Sequence, residues 1–321
     1  MKFRKLGDSE LNVSVVGLGT WAMGNDFFGL GDDTKSIRAI QAALDSGINL
    51  IDTAPAYGTG HAEDVVGEAI KGRRDSVIVA TKVGTLRDGP AFVRDLKAQT
   101  IREEMDRSLA RLDVEVIDLY QIHWPDPATP LDESLEVLEK LHEAGKYRYL
   151  GVSNFDVALI EQARRRMPVV SVQPHFSMLE REAMSEVLPY CEREGIGVLG
   201  YGSLSGGLLT GKFRELPNFE KSDRRARFYR HFSEERWSNV QNLLDVVRAI
   251  AAERDATPAQ VAINWSIEQR GMTSALVGAR TEEQALSNAK AGEWTLTKEE
   301  LGRLDEAYET YCRTDKENND G

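Results

Sequence analysis

The sequence is poor in cysteine, and its cysteines follow no pairing or ligand pattern. Among 321 residues there are two, Cys191 and Cys312, and neither belongs to a CxxC or CxxxH pattern. A disulfide framework and a cysteine-held metal clip are therefore excluded, and a reducing compartment is indicated. The histidines His61, His142, His175 and His231 lack metal-ligand spacing as well, so we expect no metal site.

Long apolar segments are also missing. Residues 1–19, MKFRKLGDSELNVSVVGLG, have no apolar core of the kind found in secretory signals. No uncharged apolar run approaches the length that is needed to cross a bilayer. We therefore expect a cytoplasmic protein without a membrane partner.

Positive charge is scarce relative to negative charge. The 40 Lys and Arg residues face 52 Asp and Glu residues, which gives a formal net charge of −12. A field of this sign repels phosphate backbones and argues against nucleic acid as a partner. An anionic cofactor would need a local basic pocket.

Short β-branched runs alternate along the chain with longer segments of helical period. Segments 34–47, 95–112 and 132–145 are amphipathic, and the last ends at Gly145, a common helix ending. Eight runs predict strands: 13–19, 48–54, 76–83, 116–123, 147–153, 169–174, 196–202 and 274–278. Eight strands that alternate with helices favour a closed (β/α)8 TIM barrel of the α/β class. A doubly wound sheet, the competitor, needs fewer strands and a GxGxxG that GLGTW at 17–21 does not supply.

We expect a single barrel domain over residues 1–321, with extended loops at its C-terminal face. Residues 2–13 predict a small N-terminal hairpin that closes the bottom of the barrel. Residues 211–236 are long, charged and rich in aromatics, which is typical of a functional loop. A last helix is predicted at 298–311, and the polar residues 314–321 are expected to form a mobile tail.

Polar side chains follow the second, third and fourth predicted strands. In such barrels the catalytic groups lie at the C-terminal ends of the strands. Asp52, Tyr57, Lys82 and His123 occupy these ends, and we expect them to converge on one rim.

The segments around these residues resemble the catalytic tetrad of the aldo-keto reductase family: IDTAPAYG (51–58), VATKVG (79–84) and LYQIHWP (119–125). The resemblance covers nearly the whole chain, continuing through GVSNF (151–155), VSVQPHFSML (170–179), LGYGSLSGGLLTGK (199–212) and VGARTEEQALSNAKA (277–291). The branch it most resembles is that of the bacterial barrels similar to potassium-channel β subunits, which include general-stress and inositol-utilisation reductases.

The resemblance implies NADPH-dependent reduction of aldehydes and ketones, and the chemistry explains why these residue types belong together. A carbonyl needs a hydride on carbon and a proton on oxygen. Tyr57 is the best proton donor, and a cation at Lys82 would lower the phenol pKa from about 10. Asp52 would keep Lys82 charged and oriented, and His123 would orient the carbonyl and share its developing negative charge.

The same resemblance implies the cofactor contacts. Ser153, Asn154 and Gln173 are expected to bind the nicotinamide carboxamide, with Asn154 also a candidate helix N-cap, and Tyr201 to stack on the nicotinamide ring. The segment 202–212 is predicted to be a glycine-rich turn that enters a helix and binds the pyrophosphate. The other expected cofactor contacts are Thr20, Trp21, Gly202, Ser203, Leu204, Ser205, Gly206, Lys212, Arg225, Gly278, Ala279, Arg280, Gln284 and Asn288.

Two of these assignments have alternatives. Arg224 and Arg227 compete with Arg225 for the pyrophosphate or adenosine. Gly278 and Gln284 stand where many family members have Lys and Arg, so Arg280 is the expected partner of a 2′-phosphate.

The expected substrate is a small, partly apolar carbonyl compound. Trp21 and Trp124 flank the predicted mouth, with Phe27, Phe28 and Phe176 as candidate walls. A cofactor-sensing regulatory subunit with slow turnover is the main alternative function, and a different barrel enzyme such as a phosphosugar isomerase is another. Neither the physiological substrate nor the oligomeric state is legible from the sequence.

Overall fold

The computed structural model describes residues 1–25, 27–29, 31–88, 91–220 and 223–319. Its strands are, in chain order, β1 (Phe3–Lys5), β2 (Asn12–Ser14), β3 (Val16–Gly19), β4 (Leu50–Asp52), β5 (Ile78–Val83), β6 (Thr85–Asp88), β7 (Ala91–Arg94), β8 (Ile117–Ile122), β9 (Tyr147–Ser153), β10 (Val169–Gln173), β11 (Gly197–Gly200) and β12 (Ser274–Gly278). Its helices are α1 (Asp33–Asp45), α2 (His61–Ala69), α3 (Ala98–Leu112), α4 (Leu131–Glu143), α5 (Val157–Arg164), α6 (Val187–Glu194), α7 (Arg225–Phe228), α8 (Glu234–Glu253), α9 (Pro258–Ile267), α10 (Glu282–Ala289) and α11 (Lys298–Asn319).

Eight of these strands close into a barrel of parallel neighbours. The order around the barrel is β3, β4, β5, β8, β9, β10, β11 and β12, and β12 pairs again with β3. Each of the eight predicted runs contains one of these strands, so the predicted (β/α)8 barrel is confirmed. Successive helices contact each other outside the strands, as α1 and α2 or α3 and α4 do.

Local sequence signals explain where several helices begin and end. Helix α4 has acidic residues in its first turn, and Gly145 follows it in the left-handed region at φ 72°. Helix α9 begins with a capping box, in which Thr257 and Gln260 satisfy each other's backbone N–H groups.

The predicted N-terminal hairpin closes the barrel at its N-terminal end. Strands β1 and β2 are antiparallel. Leu6, Leu11 and Val13 are buried in one apolar cluster with side chains from the barrel strands, among them Leu50 and Leu119. The open end of the barrel is therefore the C-terminal face, where the predicted rim residues lie.

Two long connecting segments extend from this face. A hairpin of β6 and β7 lies between β5 and α3, and residues 201–233 connect β11 to α8. Phe28, after β3, forms an antiparallel bridge with Asp223 in the second connection. Residues 221–222 of the predicted functional loop lie outside the described residues.

The last helix is longer than the sequence predicts, and the mobility of the tail stays a prediction. Residues 314–319, predicted as part of a mobile tail, lie in α11, which extends beyond its predicted end at Tyr311. No glycine or proline stands between Gly302 and Gly321 to end the helix earlier. Residues 320–321 lie outside the described residues. Across the described chain, none of the helices has the length and apolar character that a membrane span requires.

Candidate active site

The four predicted catalytic residues come together at the C-terminal rim of the barrel. Asp52 and Lys82 end or nearly end neighbouring strands, and His123 directly follows β8. Tyr57 lies in the turn after β4, where its backbone N–H donates to the carbonyl of Ala54. The convergence expected from their positions after successive strands is found.

Lys82 is fully buried, and each of its three ammonium protons has an acceptor. Nζ donates to Asp52 Oδ1 at 2.6 Å, to the carbonyl of Thr53 at 2.9 Å and to the Tyr57 hydroxyl at 3.2 Å. Burial lowers the pKa of Lys82, while the charge and hydrogen bond of Asp52 oppose this shift. Because an ammonium has three donors, this geometry fixes its orientation completely.

A pair of glutamines holds the other carboxylate oxygen of Asp52. Gln173 Nε2 donates to Asp52 Oδ2 at 2.8 Å, and Gln121 Nε2 donates to the same atom at 3.1 Å. Gln173 was expected to bind the cofactor, but its amide nitrogen is used by Asp52 and by Gln121 Oε1. Gln121 was missed by the sequence reasoning, although it stands two residues before His123 and therefore faces the barrel interior as well.

His123 lines the cavity beside Tyr57. The two rings meet edge to face with centroids 5.8 Å apart. Burial, and then the charge of Lys82, lowers the pKa of His123 well below its ordinary value. The imidazole is therefore neutral at neutral pH and carries one N–H donor.

A cavity of about 250 Å³ opens above these groups. Aromatic side chains dominate its wall, and none of the described residues that line it is acidic. The lining residues are Trp21, Tyr57, Thr85, Phe92, Arg94, His123, Trp124, Ser153, Asn154, Gln173, Tyr201 and Phe228.

The predicted nicotinamide contacts are linked by hydrogen bonds to one another. Tyr201 OH donates to Asn154 Oδ1 at 2.9 Å, and Asn154 Nδ2 donates to the carbonyl of His123 at 2.9 Å. Ser153 Oγ donates to the carbonyl of Gln173 at 2.8 Å. Asn154 has φ 60° and is not the N-cap of α5, because Asp156 takes that place.

The Tyr201 ring has a partner that the sequence reasoning left without a role. His175 stacks on it with centroids 5.0 Å apart and an interplanar angle of 18°. Tyr201 also lines the cavity. Its ring is thus held from one side and available to a planar ligand from the cavity side.

The glycine-rich segment after β11 is a turn but does not enter an α-helix. Ser205–Thr210 is a short 3-10 stretch interrupted by Gly206 and Gly207 at φ 66° and 93°. These left-handed angles favour glycine and break the helix that the sequence predicts. At Gly206 a Cβ would lie 2.7 Å from the Tyr229 ring.

Within this turn the predicted serines point into the protein. Ser205 Oγ shares a hydrogen bond with Ser177 Oγ at 3.0 Å, and Ser203 Oγ donates to the carbonyls of Gly200 and Leu276. Both are buried, whereas Gly202 and Leu204 are half-buried. The two serine hydroxyls are therefore engaged inside the protein.

Cations gather beside the turn. A Cβ at Gly207 would lie 3.7 Å from Arg225 Nη1 and 3.8 Å from Lys212 Nζ. Arg225 Nε donates to Asp223 Oδ1 at 3.0 Å, and its Nη1 donates to the carbonyl of Gly206 at 3.1 Å. Partial burial and the charges of Arg225 and Arg280 lower the pKa of Lys212, opposed by Asp223. The cluster has more positive than negative charge and suits a phosphorylated ligand.

The residues after β12 form the other side of this cluster. Arg280 Nη1 donates to the carbonyl of Phe28 at 3.0 Å, and its backbone N–H donates to Gln284 Oε1 at 2.8 Å. Asn288 is buried and donates to the carbonyl of Gly278 at 3.2 Å. Ala279 is buried as well.

The side chains of Thr20 and Phe176 do not reach the cavity. Thr20 is fully buried, and its hydroxyl donates to the carbonyl of Asp52 at 3.0 Å, so it supports β4 and does not line the cavity. Phe176 is buried in the core against Trp265 and is not a substrate wall. The Thr20 side chain thus points away from the cavity that Trp21 lines, and the Phe176 side chain points into the core.

Trp21 and Trp124 do line the cavity. Trp21 packs against Phe27 and Phe228 with centroids 4.2 and 5.2 Å away, and its ring stacks near Tyr57. Arg94 lies over the ring of Trp124, with Cζ 4.7 Å from the centroid.

The β6–β7 hairpin supplies a wall that the sequence reasoning missed. Thr85, Phe92 and Arg94 line the cavity from this hairpin. The segment TLRDGPAFVR contains an Asp-Gly pair, a common hairpin turn signal, between two short strand-like runs. The two runs are four residues long and partly polar, so their periodicity alone does not identify them as strands.

Comparisons with known proteins agree on one family. Residues 15–309 match the model described as the aldo/keto reductase family. Aldo-keto reductase YhdN of Bacillus subtilis is 41% identical over 303 residues, covering 94% of this chain and 91% of the relative. The NADH-specific methylglyoxal reductase of Escherichia coli is 35% identical and covers 91% of this chain and 93% of the relative.

Solved structures of the same family are also similar. The glycerol dehydrogenase AKR11B4 of Gluconobacter oxydans has a TM-score of 0.88 at 39% identity, covering 95% of this chain and 94% of that one. An aldo/keto reductase of Klebsiella pneumoniae in complex with NADP and acetate has a TM-score of 0.74 at 29% identity, covering 96% and 95%.

Proposed function

This chain belongs to the aldo-keto reductase family, and on that premise we propose that it reduces small aldehydes and ketones to alcohols with hydride from NADPH. As a family member it is an NAD(P)-dependent oxidoreductase. The observation that most supports the proposed chemistry is the 3.2 Å contact between Lys82 Nζ and Tyr57 OH beside the cavity. It joins a buried cation to a phenol at the place where a carbonyl oxygen would need a proton.

In this proposal Tyr57 gives its proton to the carbonyl oxygen as the carbonyl carbon accepts hydride. Lys82 already donates an N–H to the Tyr57 oxygen. The phenolate that remains after proton transfer is therefore stabilised by a charged donor. Asp52, at 2.6 Å, holds that donor in place and balances its charge in the barrel interior.

His123 is proposed to orient the carbonyl. Its pKa is low because of burial and of Lys82, so the neutral ring offers one N–H to the carbonyl oxygen. A neutral donor shares the developing negative charge without competing with Tyr57 as the acid.

The residues present fit a nicotinamide dinucleotide. When bound, the cofactor supplies the hydride. Lys212 and Arg225 are proposed to hold its pyrophosphate, because their charges are only partly balanced by Asp223. Ser153, Asn154, Gln173 and Tyr201 are proposed to hold the nicotinamide end through their remaining polar atoms and the cavity face of the Tyr201 ring.

NADPH, and not NADH, is the proposed cofactor. A relative is named as an NADH-specific methylglyoxal reductase, so the family alone leaves both cofactors open. Arg280 is the residue that favours NADPH, because a guanidinium beside the α10 N-terminus suits a 2′-phosphate dianion.

We predict that Arg280→Ala raises the KM for NADPH about 10- to 100-fold and leaves the KM for NADH unchanged, since a charge-assisted hydrogen bond contributes about 1.5–3 kcal/mol. Steady-state kinetics with both cofactors measure this. Arg270→Ala, which removes an exposed arginine before β12 at the opposite end of the barrel, is the matched control. Equal efficiency of the wild type with NADH and NADPH would contradict the preference.

The proposed reduction is tested by following oxidation of NADPH and of NADH with a panel of small aldehydes and ketones. Relatives named for methylglyoxal and for glycerol suggest that the panel should include small oxygenated compounds. We expect turnover in the wild type and its loss in Tyr57→Phe, with cofactor binding retained. Full turnover in Tyr57→Phe would overturn the assignment of the proton donor.

The alternative of a cofactor-sensing regulatory subunit gains no support from the comparisons, and no observation favours it. The single-domain organisation, the cytoplasmic location and the lack of nucleic-acid or membrane partners remain predictions from the sequence.

A further inference from the structure

The β6–β7 hairpin leaves the barrel three residues after Lys82 and carries two polar side chains to the cavity. Thr85 begins β6 and Arg94 ends β7, and the two are directly opposite each other in the antiparallel pairing. Both line the cavity that also contains Tyr57 and His123. Opposite residues in such a pair lie close together on one face of the hairpin.

Thr85 contributes a buried hydroxyl to this wall. The residue is 5% exposed, and its Oγ1 has no hydrogen-bond partner within the part of the chain that the structure describes. Buried hydroxyls in folded proteins are nearly always partnered, because a missing partner costs free energy. A ligand oxygen in the cavity would supply that partner.

Arg94 adds an exposed cation to the same wall. Its guanidinium lies over the Trp124 ring at 4.7 Å, and no carboxylate among the described residues forms an ion pair with it. No described residue that lines the cavity is acidic, in a protein whose net charge is −12. Among the described residues, therefore, no negative charge balances Arg94 at this site.

We propose that the preferred substrates are small aldehydes or ketones that carry a carboxylate, and that Arg94 and Thr85 bind this group. The inference rests on the proposed function and adds the substrate class. The guanidinium matches a carboxylate in shape and charge, and the Thr85 hydroxyl donates to one of its oxygens. The carbonyl then lies at Tyr57 and His123, and the aromatic wall of the 250 Å³ cavity surrounds a short carbon chain.

The test compares 4-oxobutanoate with its methyl ester, which have the same aldehyde and chain but differ in charge. We expect a higher kcat/KM for the acid in the wild type. Arg94→Met, which keeps an apolar chain over Trp124, should lower the kcat/KM of the acid about 10- to 100-fold, mainly through KM, and leave the ester unchanged. Added salt should reduce the preference of the wild type for the acid, because Arg94 is exposed.

Two further variants separate recognition from general damage. Thr85→Val keeps the shape of the side chain and should weaken the acid preference less than Arg94→Met does. Arg87→Met changes an arginine of the same hairpin that lies over Phe92 and does not line the cavity, so it should change nothing. Equal kcat/KM for acid and ester in an active wild type, or parallel losses for both in Arg94→Met, would refute the carboxylate inference alone. Failure to reduce any carbonyl compound would refute the proposed function itself.

Discussion

The two faces of strand β5 carry two buried groups of ionisable side chains that differ in their balance of charge. Lys82 points into the barrel, where one ammonium meets the Asp52 carboxylate. Thr81 points to the helix layer, where its hydroxyl donates to Glu63 at 2.7 Å. Beside it, Glu104 accepts the N–H of Gly84 at 2.6 Å.

On the outer face, the carboxyl groups of Glu63 and Glu104 are both buried, and Arg111 forms an ion pair with Glu63. Arg111 Nη1 contacts Glu63 Oε2 at 3.1 Å and is itself partly exposed. Burial raises the pKa of Glu63, and burial raises that of Glu104 to about 8, with the charge of Glu63 adding to it. One strand therefore has a paired charge on its inner side and a carboxyl group with a strongly raised pKa, Glu104, on its outer side. The difference follows from the partners: Asp52 meets the Lys82 ammonium, whereas the hydrogen bond to Glu104 comes from the neutral backbone N–H of Gly84.

The largest effect is expected on the inner face. Lys82→Met leaves Asp52 buried with only the neutral donors Gln121 and Gln173, which should destabilise the fold by about 3–5 kcal/mol. It should also lower kcat about 10²- to 10⁴-fold through the loss of support for Tyr57. Denaturant unfolding and steady-state kinetics measure the two effects. Wild-type turnover in this variant would show that the reaction does not need the Asp52–Lys82 ion pair.

The outer face should give a pH dependence of stability. The folded-state pKa of Glu104 is raised from 4.5 to about 8, so the folded protein holds a proton that the unfolded chain has released. The stability from this proton is fully present below pH 4.5 and is lost as pH rises through about 8, by up to about 1.4 kcal/mol per pH unit.

Glu104→Gln should flatten this dependence, because the amide is neutral at all pH values and still accepts from Gly84. Unfolding free energies across that pH range measure the slope. The matched control is Glu103→Gln, which changes the exposed neighbour on the same helix and should leave the slope as it is. An unchanged slope in Glu104→Gln would mean that Glu104 does not hold the extra proton in the folded protein.

The smallest effect is expected from Thr81→Val. It removes one donor to Glu63 and should cost about 1–3 kcal/mol of stability, as for a buried acceptor that loses its partner. The neighbouring Lys82 keeps its contacts, so kcat should not change. A large fall in kcat would show that the two faces of β5 are coupled and do not act independently.

The barrel and the tetrad could be predicted because they follow from local patterns in a regular order. Each barrel strand is a short β-branched run, and Asp52, Lys82 and His123 lie at or just beyond the ends of successive runs. The resemblance to aldo-keto reductases then assigned them roles. Gln121 could have been added, because its period-two spacing from His123 places both on the inward face.

Other parts depend on packing that no local pattern reports. Glu103 and Glu104 are adjacent and chemically equal in the sequence, yet only Glu104 is buried, because of the way α3 packs on β5. The hairpin wall with Thr85 and Arg94 is built from four-residue strands, too short for a clear periodicity. The sequence around Gly206 and Gly207 predicts the start of a helix. The left-handed backbone angles of these two glycines interrupt it, and the sequence does not reveal them.

The most direct test of the central claim is the single-turnover rate of cofactor oxidation, measured in protein preloaded with reduced cofactor and mixed with a carbonyl compound. Wild type and Tyr57→Phe are compared, with cofactor affinity measured for each. The account predicts equal affinity and a rate about 10²- to 10⁴-fold lower in the variant, as expected for loss of the general acid. Equal single-turnover rates would contradict it and would assign the proton to another donor.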